Sequence, residues 1–161
     1  CAVEADRPAA VDWAAVAEQA ADAAAKVASE LALQRLTASL LFSDDAEVHA
    51  LNREWRGKDK PTNVLSFPML ERAELLALTS DGPPELLGDI ALALETCSRE
   101  AADKSVSLEA HATHLIVHGL LHLAGFDHET SPEEAVAMES LEIKALALLG
   151  IADPYGDAEA A

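Results

Sequence analysis

The histidines of this chain are concentrated in one short stretch. Five of the six lie between positions 111 and 128, and three of them have the spacing His118-x3-His122-x5-His128. On an α-helix His118 and His122 are about 40° and one turn apart, so both imidazoles can reach one metal ion. Gly125 offers the left-handed residue that ends a helix and lets the chain turn back with His128. The spacing therefore predicts a metal site with three imidazole ligands.

Three imidazoles leave one coordination position open, which is typical of catalytic rather than structural zinc sites. Zinc is the first choice of metal, although imidazole also suits nickel, copper and iron. The spacing, including Gly125, is that of the metzincin motif, but the Glu that follows the first histidine there is Gly119 here. Since that Glu is the base in peptide hydrolysis, Gly119 argues against an ordinary metalloprotease and leaves the ligands intact.

The other histidines are expected to be structural residues. His111 and His114 precede the motif on nearby faces of the same helix, and His49 lies in a separate predicted helix. Asp127 is next to the third predicted ligand, where it either accepts a hydrogen bond from a ligating imidazole or lies on the surface.

Charge and length limit the classes to which the chain can belong. With 161 residues, a single domain over 1–161 is expected. Eleven Lys and Arg against 29 Asp and Glu give a net charge of −18, which repels nucleic acid and anionic membranes from the chain as a whole. No apolar run approaches the roughly 18–20 residues of a membrane span, and no secretory signal is recognisable. A reduced, cytoplasmic protein with an acidic, mobile tail from about residue 153 is therefore expected.

Hydrophobic periodicity predicts an α+β fold, with a small, mostly mixed β-sheet and helices packed on it. Prolines at both ends of the strand over 62–68 mark it as an edge strand, and the turn-rich segment 69–85 is predicted to be a loop. The helix over 107–124 carries His118 and His122 and is expected to be a metzincin-like zinc helix. The predicted helices are 11–33, 44–57, 95–103, 107–124 and 132–149, and the predicted strands are 35–43, 62–68 and 86–94.

Basic residues cluster immediately before the predicted edge strand. Arg53, Arg56, Lys58 and Lys60, which we call the basic strip, are four of the eleven basic residues of an acidic chain. A guanidinium in this place could hold a phosphate through two hydrogen bonds. Basic residues also complement the dipole at the end of a solvated helix, so charge alone leaves both interpretations open.

Three sequence blocks in this order resemble the bacterial YbeY family of rRNA maturation endoribonucleases. The first is LNREWRGKDKPTNVLSFP at 51–68, the second is LGDI at 87–90, and the third is HGLLHLAGFDH at 118–128. The resemblance covers 51–128 well, whereas the first and last predicted helices agree with the family only in kind.

The resemblance implies a zinc-dependent endoribonuclease specific for single-stranded RNA, which acts in maturation of small-subunit rRNA and in ribosome quality control. Carried over by position, it implies catalytic roles for Arg56 and His118. It implies one zinc ion on His118, His122 and His128, and RNA binding by the basic strip. Ribosomal proteins or ribosome-associated factors are the implied protein partners, and neither a membrane nor DNA is expected as a partner.

Several alternatives stay open at this point. The scissile phosphate is expected between the zinc ion and Arg56, but the nucleophile is either water activated by the metal or the RNA 2′-hydroxyl. A metzincin-like peptidase would use Met138 as a Met-turn residue, although the surrounding pattern predicts a helix with a core methionine. A ribosome-assembly binding module with a structural zinc ion would need a fourth protein ligand, for which Cys97 is the candidate.

Overall fold

The computed structural model describes residues 2–6, 12–126 and 131–154. The strands form one sheet in the order β1-β2-β4-β3. β1, β2 and β4 are parallel, and β3 runs antiparallel to β4 at the edge. The α+β fold with a small mixed sheet and the edge position of β3 are therefore confirmed. The strands are β1 (Ala2–Asp6), β2 (Leu36–Ser43), β3 (Val64–Pro68) and β4 (Glu85–Ala93), and the helices are α1 (Trp13–Val27), α2 (Asp45–Arg56), α3 (Arg72–Ala77), α4 (Leu94–Lys104), α5 (Leu108–Leu123) and α6 (Pro132–Leu148), with a short 3-10 helix at Ser29–Ala32.

The main core lies between the sheet and the helices α1, α5 and α6. Phe42 of β2 stacks on Trp13 of α1 with ring centroids 4.8 Å apart. Eleven of the 16 residues of α5 are buried, because this helix contacts α1, α4, α6, β3 and β4. On the other face of the sheet, α2 packs through a smaller apolar cluster around Val48 and Leu65. In the described ranges, no helix is long and apolar enough to cross a bilayer.

Local chemistry determines several helix ends. Asp44 caps α2 by accepting a hydrogen bond at 2.7 Å from an amide three residues later, and Gly57 ends the helix with a φ of 68°. Ser107 caps α5 in the same way at 3.0 Å, and Gly125 follows the end of α5 with a φ of 100°. These four positions confirm the predicted boundaries, because oxygen side chains and glycine satisfy requirements of the backbone itself.

Three features differ from the sequence prediction. The strand β1 adds to the sheet beside β2, ahead of the first predicted helix. The prediction of a loop over 69–85 is wrong at α3, whose first turn is held by the Glu74 carboxylate accepting from the Glu71 amide at 3.0 Å. A helix of six residues is too short to show a period beside the strong turn signal of 80–84. The first helix also ends earlier than predicted, at Val27, where the 3-10 helix follows.

A bulge in β4 fixes how β3 approaches the sheet. The pairing of β2 with β4 shifts between Thr37 and Ala38, so Leu87 is an extra residue ahead of Gly88. A Cβ at Gly88 would lie 2.4 Å from the carbonyl oxygen of Phe67. A Cβ cannot lie that close to a carbonyl oxygen, so glycine is required at this point of the pairing between β3 and β4.

We predict that Gly88→Ala lowers the free energy of unfolding by roughly 3 kcal/mol or more, since the new methyl group forces β3 away from β4. Urea unfolding monitored by circular dichroism measures this change. Gly57→Ala is the matched control, because Gly57 also has a positive φ, 68° against 158° at Gly88, but no atom lies within 4 Å of the added Cβ. The left-handed backbone alone costs about 1–2 kcal/mol. Equal losses in the two variants would contradict the prediction.

Candidate metal and nucleic-acid site

His118 and His122 lie on successive turns of α5 and present their rings to the same cleft. Their ring centroids are 4.7 Å apart, and the ring planes are inclined at 80°. Both side chains are partly buried. The helix that carries them is held in place by its apolar residues, so the two rings project from a rigid element. The structure therefore brings the predicted pair together.

The cleft beside this pair has a volume of about 690 Å³ and lies between α5, β3 and the C-terminal end of α2. Arg56, Lys58 and Lys60 line it, so three members of the basic strip meet the histidines there, whereas Arg53 is exposed on α2 away from the lining. Within the described part of the chain, no Asp or Glu lines the cleft. The lining residues are Asn52, Arg56, Lys58, Lys60, Thr62, Asn63, Val64, Leu65, Ser66, Phe67, Pro68, His118, Gly119, His122, Gly125 and Phe126.

The donor set fits zinc as far as the structure describes it. Two imidazoles one helical turn apart on one face are a common half of a zinc site. The third predicted ligand, His128, and its neighbour Asp127 lie outside the described residues. Among the residues that are described, no group of three or more His, Cys, Asp or Glu side chains could hold a metal ion. The metal site therefore stays a prediction that depends on His128.

Glu142 is a site residue that the sequence analysis misses. It lies on α6 with only 1% of its surface exposed, and its Oε1 is 2.7 Å from His114 Nε2 and 3.2 Å from His118 Nδ1. Burial raises the pKa of Glu142, but the hydrogen bonds from the two histidines outweigh burial and lower the pKa to about 2. The available signal was its spacing: Glu142 follows the core residue Met138 by four positions, where a helix of this kind has an apolar residue.

A second carboxylate supports the same helix from α4. Glu100 Oε1 accepts hydrogen bonds at 2.9 Å from both Asn63 Nδ2 and His111 Nε2. Burial raises the pKa of Glu100, but these two bonds outweigh it, so its pKa lies below the usual value. Burial also lowers the pKa of His111, and the nearby Glu100 only partly opposes this. His111 and His114 thus form hydrogen bonds with carboxylates of neighbouring helices, and neither lines the cleft.

Arg72 of α3 holds the end of α5. Its Nη1 donates a hydrogen bond to the Ala124 carbonyl at 2.7 Å, its Nη2 is 2.7 Å from a carboxylate oxygen of Glu30, and its guanidinium lies 4.5 Å from the centroid of the Phe126 ring. A Cβ at Gly125 would meet the Arg72 side chain at 2.7 Å. The Arg72 guanidinium thus contacts the residues that end α5, an interaction that the loop prediction for 69–85 did not reveal.

Residues named for the alternative functions lie elsewhere. Met138 is fully buried in the main core, as the helical pattern predicts. Cys97 is fully buried in α4, and burial raises the pKa of its thiol to about 12, which disfavours the thiolate that zinc binds. Neither residue lines the cleft. His49 lies on α2, and its Nε2 is 2.8 Å from Oδ1 of Asp59, which follows the helix. Neither of these residues lines the cleft.

The cleft of this α+β fold is lined by two kinds of functional side chain. Two are imidazoles, which bind metal ions, and three are cations, which bind phosphate. That combination defines the class of the molecule, a protein with a histidine-bearing helix facing a basic cleft. The sequence profile described as Endoribonuclease YbeY matches residues 3–150. The chain belongs to the YbeY family.

Curated relatives agree with this assignment over most of the chain. A protein named Endoribonuclease YbeY from Erythrobacter litoralis is 65% identical over 146 residues, which cover 91% of each chain. A second protein of that name, from Novosphingobium aromaticivorans, is 64% identical over 147 residues, covering 91% of this chain and 88% of the relative. The family resemblance inferred from the three sequence blocks is therefore confirmed.

A solved structure shares the fold. The solution structure of TM1509 from Thermotoga maritima superposes with a TM-score of 0.58 and covers 98% of this chain and 92% of its own, at 21% sequence identity. At that identity the likeness concerns the fold, and it supports the arrangement of helices around the small mixed sheet.

We predict that His111 makes the stability of the protein depend on pH. Its folded pKa lies below the ordinary value of about 6.5, so the unfolded chain takes up a proton that the folded chain excludes. The contribution of His111 to the free energy of unfolding is therefore fully present above that ordinary value. It is lost as the pH drops from 7.5 to 5.5, by at most about 1.4 kcal/mol per pH unit. Urea unfolding of the native chain and of His111→Gln at several pH values measures the effect.

In His111→Gln the loss of stability between pH 7.5 and 5.5 is expected to be smaller than in the native chain. The window avoids Glu100, whose contribution is lost only below the ordinary glutamate pKa of about 4.3. Parallel curves for the two proteins would show that His111 does not contribute.

Proposed function

We propose that this chain is a zinc-dependent endoribonuclease that cleaves single-stranded RNA and acts in maturation of small-subunit rRNA. The observation that carries the proposal is the cleft, in which His118 and His122 share one cavity with Arg56, Lys58 and Lys60. The names of the curated relatives, Endoribonuclease YbeY, support the same reaction.

The charge of the cleft favours an anionic substrate. The chain carries a net charge of −18, yet the cleft is lined by three basic side chains and, within the described ranges, by no acidic one. Such a local reversal of sign attracts a phosphate group against the repulsion from the rest of the surface. Because few phosphates can be contacted there, a modest dependence of binding on salt is expected.

Each charged side chain has a separate task in this proposal. His118 and His122 would hold the zinc ion through neutral imidazole nitrogens, with His128 as the predicted third ligand. A bound zinc ion supplies Lewis-acid stabilisation of the charge that develops on the phosphoryl oxygens. Arg56 would bind the same phosphate from the opposite wall through its planar guanidinium. Lys58 and Lys60 would bind neighbouring phosphates as point charges.

The lining of the cleft also suits a single strand. Phe126 lines the cleft, and aromatic rings bind unpaired bases by stacking without reading their sequence. The wall formed by β3 is the edge of the sheet, which gives the strand a straight path along 64–68. A duplex buries its bases and presents no such faces.

A role in ribosome quality control, contacts with ribosomal proteins or associated factors, and a cytoplasmic location complete the proposal. They rest on the family to which the chain belongs and on its charge. An acidic protein of −18 does not accumulate on RNA by itself, so a partner that delivers it to the ribosome is expected. DNA and membranes are not proposed as partners.

We predict that Arg56→Ala keeps zinc but loses cleavage of a labelled single-stranded rRNA fragment by about 100-fold or more, since a charge that stabilises the transition state is removed. His122→Ala is expected to lose both zinc and cleavage. Zinc analysis and gel assays at fixed low salt measure both. The products identify the nucleophile, because attack by the 2′-hydroxyl leaves a cyclic phosphate and attack by water does not.

Arg53→Ala is the matched control, because Arg53 lies on the same helix but outside the cleft lining. Removing it changes the net charge equally and is expected to leave cleavage nearly unchanged. Equal cleavage by the native chain, Arg56→Ala and His122→Ala would show that the activity resides elsewhere and would favour a ribosome-assembly binding module.

We also predict that zinc is lost as the pH falls. Zinc binds imidazole only in its neutral form and releases a proton when it binds, so protons compete with the metal. Dialysis against metal-free buffer at pH 7.5 and at pH 5, followed by zinc analysis, is expected to show about one ion per chain at the higher pH and little at the lower. Retention of the full zinc content at pH 5 would contradict histidine ligation. Circular dichroism at both values confirms that the chain remains folded.

A further inference from the structure

Glu142 is an acidic residue in a place that packing alone would give to an apolar one. It is 1% exposed and lies on the face of α6 that carries Met138 and Leu146, both fully buried. Burying an ionised carboxylate is costly unless hydrogen bonds compensate for the lost water. A methionine or leucine would fill the space without that cost. The side chains that Glu142 contacts should therefore explain why it is there.

Those side chains are two imidazoles of α5. The single oxygen Oε1 lies 2.7 Å from His114 Nε2 and 3.2 Å from His118 Nδ1. One oxygen within hydrogen-bond distance of two ring nitrogens is placed to accept from both, which is how a buried carboxylate is compensated for the lost water. An ionised carboxylate only accepts hydrogen bonds. Both nitrogens must consequently carry protons.

The proton on His118 Nδ1 determines the chemistry of the other ring nitrogen. In a neutral imidazole one nitrogen carries the proton and the other carries the lone pair. With the proton on Nδ1, the lone pair is on Nε2, and only a nitrogen with a lone pair can bind a metal ion. His118 lines the cleft, so the contact with Glu142 behind the ring selects the form of the ring that can act as a ligand.

We propose that Glu142 is a positioning residue that holds His118 as its Nδ1–H tautomer and so makes Nε2 the metal-binding atom. The inference rests on the proposed zinc site. The negative charge behind the ring also strengthens the bond that His118 would form to a metal ion. His114 has a different role in this proposal. It lies one turn before His118 on α5 and donates a hydrogen bond from Nε2–H to Oε1 of Glu142, so it positions the carboxylate and does not bind the metal.

Two substitutions of Glu142 separate its role as a hydrogen-bond acceptor from the effect of its negative charge. Glu142→Met fills the same space with an apolar side chain, which often leaves a buried ion-pair site stable, but it removes the acceptor. Glu142→Gln keeps an oxygen that can accept from Nδ1–H but removes the charge. Met138→Ala is the matched control, because it weakens packing one turn earlier on α6 and leaves the Glu142 acceptor of His114 and His118 in place.

The first measurement uses zinc-free protein at pH 8. Imidazole ¹H–¹⁵N spectra report which nitrogen of His118 carries the proton, independently of any metal. The native chain and Met138→Ala are expected to show Nδ1–H, and Glu142→Met is expected to show a substantial fraction of Nε2–H. The second measurement is zinc affinity by competition with a chelator. We expect a loss of about 10–100-fold in Glu142→Met, a smaller loss in Glu142→Gln and no loss in Met138→Ala.

The outcomes distinguish the positioning role from the proposed function. Native chain that takes up no zinc would overturn the zinc site and the positioning role with it. Native chain that binds zinc, together with Glu142→Met that binds it equally and keeps the Nδ1–H form, would overturn the positioning role alone. A loss of zinc affinity in Met138→Ala as large as that in Glu142→Met would also overturn it, by showing that only the packing of α6 matters.

Discussion

The site depends on the enclosure of α5. This helix is surrounded by α1, α4, α6, β3 and β4, and a helix in that position would be apolar on every side if packing were its only task. It instead carries four imidazoles within 111–122. Every polar group that is buried needs a hydrogen-bond partner, so the neighbouring helices must supply acceptors. Glu100 of α4 and Glu142 of α6 supply them, and neither lines the cleft.

This arrangement separates the two signs of charge. The carboxylates that support α5 lie outside the cleft lining, where they accept hydrogen bonds from imidazole and amide groups. The cleft side is left to His118, His122 and the cations at the end of α2. An acidic chain can therefore present a positive cavity, because electrostatic attraction acts over about a Debye length of 8–10 Å and the local groups dominate at the phosphate. The net charge of the chain therefore acts on a partner at long range, whereas the local charges of the cleft act on a group bound inside it.

Sequence reasoning succeeded where the cause is local. The caps Asp44 and Ser107, the glycines that end α2 and α5, and the His118–His122 spacing all follow from a few consecutive residues, and the sequence blocks identify the family. It failed where the cause is tertiary. Residues 69–85 contain only six helical residues, and the contact of Arg72 with the Ala124 carbonyl joins positions 52 apart. Glu142 follows Met138 at the spacing of a core residue, but its two imidazole partners are seen only when α5 and α6 are brought together. The metal centre itself stays a prediction, since His128 lies outside the described residues.

Gly119 shows how packing has shaped the chemistry of the site. The sequence comparison with metzincins treats this position as a missing base, but the structure shows a packing reason for glycine. A Cβ there would lie 2.9 Å from Ile90 Cδ1 and 3.3 Å from two further carbons of the same side chain. Ile90 belongs to β4 and is itself 1% exposed, so it has little room to move. A side chain at position 119 would therefore require Ile90 to shift, and this close packing of α5 on β4 favours glycine next to His118. Glycine next to His118 therefore lets α5 lie close to β4, and in the described part of the chain the cleft is lined by no carboxylate that could act as a base.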